Sequence, residues 1–77
     1  MNEIVISVIF LANKEQYKAF VEDASIKSVL DVQACDDTAD KALDKLILTL
    51  QKDYMTKGTY RLVINKEIRT VMYYQQK

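Results

Sequence analysis

The chain has seventy-seven residues, no net charge, one cysteine, one glycine, no proline and no histidine, which fits one small domain and excludes several kinds of chemistry. Without histidine there is no imidazole to act as acid, base or metal ligand. A lone thiol builds neither a disulfide framework nor a zinc site, and a single glycine cannot make a phosphate-cradling loop. No linker, repeat or low-complexity stretch divides the chain, so residues 1–77 are read as a single compact domain.

The first predicted element covers residues 3–12. Ile4, Ile6, Val8 and Phe10 alternate with Val5, Ser7, Ile9 and Leu11, so both faces are apolar, as in a central strand. The run is too short to span a bilayer, and Glu3 stands where a signal peptide carries positive charge. A soluble, cytoplasmic protein with no membrane partner is expected.

Residues 13–35 admit two readings. Asn13 can cap a helix with Tyr17, Phe20, Val21 and Ala24 on one face, or residues 14–24 can form a strand with Tyr17, Ala19 and Val21 on one face. After a turn at residues 23–27, Ser28–Cys35 reads as a strand. Its alternation sets Val29, Asp31 and Gln33 against Leu30, Val32 and Ala34.

Residues 38–56 form the clearest helix. Ala39, Ala42, Leu43, Leu46, Ile47, Leu50 and Tyr54 follow the spacing of a buried stripe. Asp37 or Thr38 can cap the first turn, where Asp36, Asp37 and Asp40 also suit the helix dipole. Gly58 is expected in the left-handed position that closes many helices. Residues 59–65 and 68–75 read as a hairpin around Asn65-Lys66-Glu67. This register places Tyr60, Leu62, Ile64, Ile68, Met72 and Tyr74 on one face, and Arg61, Val63, Arg69, Val71 and Tyr73 on the other.

The stretch DDTADKALDKLILTL, with Asp37 and Thr38 at the cap and Ala42 and Leu43 opening the stripe, resembles the strand-to-helix junction of HicB-like antitoxin domains. The glycine-rich turn usual in that family before the helix is missing ahead of Asp36. The resemblance implies a fold like a partial double-stranded-RNA-binding domain and an antitoxin-like activity that covers a toxin. It favours a β-β-β-α-β-β order for residues 3–75. The fold class expected is therefore α+β with two layers, one antiparallel sheet and one long helix packed across it. The alternative order is β-α-β-α-β-β.

Four candidate sites follow. Cys35 precedes a helix N-terminus, but Asp36 and Asp37 disfavour a thiolate and no histidine can serve as base, so an inert thiol is expected. Asp36, Asp37 and Asp40 form an acidic patch better explained by helix capping than by a cation, and no metal or cofactor is expected. Lys57, Arg61, Lys66 and Arg69, with Tyr73, compose a basic aromatic sheet face of the kind that binds nucleic acid. Leu48 and Met55 lie off the buried stripe and seven residues apart, and with Val71 and Tyr73 they form the expected apolar contact surface.

Residues 1–40 hold three lysines and eight acids, a net −5, and residues 41–77 a net +5. That asymmetry suits electrostatic docking or a homodimer. With no catalytic constellation in the sequence, a non-enzymatic protein-binding domain is expected. By type the chain resembles small phage and mobile-element inhibitors, including anti-defence proteins. A nucleic-acid-binding module and an antitoxin-like domain are the alternatives.

Overall fold

A computed structural model describes residues 2–55, 58–64 and 70–76, the last segment through its backbone. Five strands and one helix follow in the order β1 (Asn2–Leu11), β2 (Gln16–Ala24), β3 (Gln33–Asp36), α1 (Ala39–Asp53), β4 (Gly58–Ile64) and β5 (Thr70–Gln76). The β-β-β-α-β-β order and the two-layer α+β class are those expected. The strands lie side by side as β3-β2-β1-β4-β5, with β1 at the centre. One correction concerns strand direction. β1 and β4 run parallel, Ile4 opposite Leu62 and Ile6 opposite Ile64, so the sheet is mixed rather than wholly antiparallel. The cause is the crossover: α1 carries the chain from one sheet edge back to the end where β1 begins, and a strand entered that way runs with β1.

The ambiguous segment is a strand. β2 pairs antiparallel with β1 through Val8–Ala19 and Ile6–Val21, across a bulge between Val5 and Ile6. The connecting turn places Glu15 in the left-handed region at φ 51°. The expected strand at Ser28–Cys35 is shorter than predicted. Residues Lys27–Val29 make a 3₁₀ turn that buries Val29 and leaves Leu30 exposed. Ser25 secures the start of this segment: its amide donates to the Glu3 carbonyl at 2.9 Å, and its Oγ accepts from the Glu3 amide at 2.9 Å.

The helix forms as its sequence dictates. Thr38 is the cap, its Oγ1 accepting from the Lys41 amide at 3.1 Å. Ala42, Leu46, Ile47 and Leu50 are buried, and Leu43 packs at their border. The helix ends at Asp53, before Gly58, which opens β4. The amides of Tyr54 and Met55 both donate to the Leu50 carbonyl, at 3.0 and 2.8 Å, and this closes the last turn. Leaving the helix there reverses two expectations: Tyr54 is exposed and Met55 is buried.

α1 lies over β1, β2 and β3. Ile4, Ile6, Ala19, Val21, Ala34, Tyr60, Leu62 and Ile64 face the same core. In the last hairpin Ile64 pairs with Thr70, Leu62 with Met72 and Tyr60 with Tyr74. This register is two residues from the expected one. An even shift keeps each residue on its face, so the expected division of positions between the two faces survives. The predicted loop at residues 65–67 lies outside the described residues.

Candidate functional site

At the β3–α1 junction the acidic patch is held by lysines. Lys45 Nζ lies 3.1 Å from Asp36 Oδ2 and donates to the Cys35 carbonyl at 3.0 Å. Lys41 Nζ lies 3.4 Å from Asp37 Oδ1, one helical turn away. Asp36 Oδ1 accepts from the Asp37 amide at 2.7 Å. That backbone donor first, and Lys45 second, hold the Asp36 carboxyl down at about 2. Asp40 stands in the first turn of α1. No three acidic, cysteine or histidine groups converge as a metal site among the described residues. Cys35 is a partly buried free thiol.

The depressed Asp36 value has a pH consequence. Its contribution to stability is fully present above the unfolded value of 3.8 and is lost as pH falls through about 2. A carboxylate chemical-shift titration should therefore place Asp36 near 2. Lys45→Met should raise that midpoint only partway, because the Asp37 amide remains. An Asp36 midpoint at the ordinary value in the parent chain would contradict the junction as described.

The sheet face opposite α1 carries the second group of candidates. No further layer covers this face among the described residues. Arg61 Nη1 lies 3.5 Å from Glu3 Oε2 on the neighbouring strand, so this cation already has a counter-charge. Lys18 Nζ sits 5.4 Å from the Phe20 ring centroid, and Ser7 Oγ donates to Glu22 Oε1 at 3.0 Å. This sheet face thus carries both signs of charge among the described residues, and Arg61 is the one member of the expected basic group whose side chain is described. Lys57, Lys66 and Arg69 lie outside the described residues. Val71 and Tyr73 are placed by backbone register alone, opposite Val63 and Arg61.

The expected apolar contact surface is reorganised. Leu48 is 65% exposed on the outer side of the helix, as predicted. Met55 is only 8% exposed and belongs to the core, so it cannot act as a surface anchor in the folded chain. The sequence reading missed Ile9 and Phe10, which are 44% and 54% exposed. They stand near the end of β1 on opposite faces of the sheet. Phe10 meets the Tyr17 ring at 5.0 Å between centroids. Pairing of β1 with β4 stops at Ile6, so beyond that residue β1 pairs with β2 alone among the described residues. The signal available in the sequence was the length of β1: ten residues cannot all be matched by a seven-residue β4.

Among the described residues no helix is long and apolar enough to cross a membrane. No family model matches the chain, and neither a curated protein nor a solved structure shows significant similarity to it. Its class therefore rests on its own geometry: a small two-layer α+β domain with a helix on one side of a mixed five-stranded sheet.

Proposed function

We propose that this protein is a non-enzymatic binding domain that acts by contact with another protein, as an inhibitor or regulator of the phage anti-defence type. The observation that carries the reading is the exposure of Ile9 and Phe10 together. Consecutive strand residues point to opposite faces, so this end of β1 offers an exposed apolar side chain on each side of the sheet. Leu48 supplies a separate apolar anchor on the helix. Aromatic and large apolar side chains of this kind dominate interface energetics when a partner desolvates them.

The test compares the parent chain with two surface variants, Ile9→Glu/Phe10→Glu and Leu48→Glu, as baits in the native cell extract. A protein enriched by the parent and lost with the hairpin-end variant, while that variant keeps the parent's circular dichroism, is the expected result. Loss of a central anchor corresponds to about 2 kcal/mol, roughly thirtyfold in affinity. Identical capture by all three folded chains would remove the reading. Salt-sensitive capture of RNA or DNA instead would favour the nucleic-acid alternative.

A further inference from the structure

The two edges of the sheet are protected very differently. β3, at one edge, is only four residues long, carries Asp36, runs directly into α1, and has its Cys35 carbonyl occupied by Lys45. Short length, charge and coverage are the ordinary devices that keep an edge from pairing with another chain. β5, at the other edge, has none of them in its sequence. Thr-Val-Met-Tyr-Tyr-Gln-Gln is seven residues with no charge, proline or glycine, and β4 is its only neighbouring strand among the described residues. Such a strand presents a row of backbone donors and acceptors to whatever lies beside it.

We propose that β5 pairs antiparallel with β5 of a second copy, joining two sheets into a single continuous one. Symmetry limits the register. A two-fold axis normal to the sheet must pass through a residue, because only then do positions on one face meet positions on the same face. Three centres lie near the middle of the strand: Met72, Tyr73 and Tyr74. Only an axis at Tyr73 pairs all seven residues: Thr70 with Gln76, Val71 with Gln75, Met72 with Tyr74, and Tyr73 with its symmetry mate. Within these seven residues no charge opposes another of its sign. About six to eight backbone hydrogen bonds form across a ladder of this length. The two copies of α1 then lie on the same side of the joined sheet. This inference is independent of the Ile9/Phe10 reading, which concerns the end of the central strand rather than an edge of the sheet.

Cross-linking tests the register directly. In a Cys35→Ser background, Tyr73→Cys places two thiols on the axis. Paired strands bring the Cα atoms to about 4.5–5.5 Å, within the range of a disulfide. Mild oxidation should give a disulfide-linked dimer for Tyr73→Cys and none for the control Asp40→Cys on the helix. The second variant is Tyr73→Glu. Within one chain residue 73 is in register with Arg61, so glutamate there suits the monomer, whereas two glutamates meet at the axis. Sedimentation across a concentration series should show a dimer for the parent and about a tenfold weaker one, or none, for Tyr73→Glu. Mixing Tyr73→Glu with Tyr73→Lys should restore association. A monomeric parent, or a parental dimer whose Tyr73→Cys variant fails to cross-link, would overturn the proposal.

Discussion

Leu46→Ala is expected to lower the unfolding free energy by about 2–5 kcal/mol, the range for emptying a fully packed leucine site. Leu46 has no exposed surface and sits at the middle of the helical stripe, between Ala42 and Leu50. Ile4, Ile6 and Val21, side chains of the sheet, share its core. A chain this small buries a modest share of its surface, so the loss is a large fraction of its total stability. Urea unfolding followed by far-ultraviolet circular dichroism reads the effect as a lower midpoint with an unchanged slope. Leu46→Met, which conserves volume, should cost less than about 1.5 kcal/mol. An Ala variant as stable as the parent would mean that α1 does not pack on the sheet as described.

The second large effect separates two residues that look alike in the sequence. Met55→Glu is expected to unfold most of the chain, whereas Leu48→Glu should change stability by no more than about 0.5 kcal/mol. Met55 lies just past the helix, where the turn closed on Leu50 directs it into the core. A carboxylate there loses its water among side chains that are apolar in the described core, at a cost of several kcal/mol or a shifted protonation. Leu48 is mostly in solvent, and its replacement removes little packing. Thermal melts of the two variants, taken side by side at neutral pH, decide the matter. A Met55→Glu melt within a few degrees of the parent would place Met55 on the surface instead.

Much of the helix could be read from the chain. Its capping threonine, its acidic first turn and its stripe through Ala42, Leu46, Ile47 and Leu50 are local features. Each depends on neighbours within four residues, so the spacing alone carries the information. The central position of β1 was equally legible, because a run of apolar residues this continuous reads as a strand flanked on both edges, and β2 and β4 flank it, although α1 covers only one of its faces. The division of the last two strands between faces survived a register two residues from the expected one for a simple reason: an even shift leaves each residue on its own face.

What tertiary structure alone decided were the non-local pairings. Gln16–Ala24 carries helical and extended spacing at once. β1 needs hydrogen-bonding partners along its edge, and β2 supplies them from Ile4 to Leu11. The parallel match of β1 with β4 has no mark in either segment, since it follows from where the crossover returns the chain. The burial of Met55 and the exposure of Tyr54 turned on where the helix stopped, and that was set by two amides closing on one carbonyl. Local order was therefore written in residue spacing, while partner choice and solvent exposure waited on backbone groups that only distant segments could satisfy.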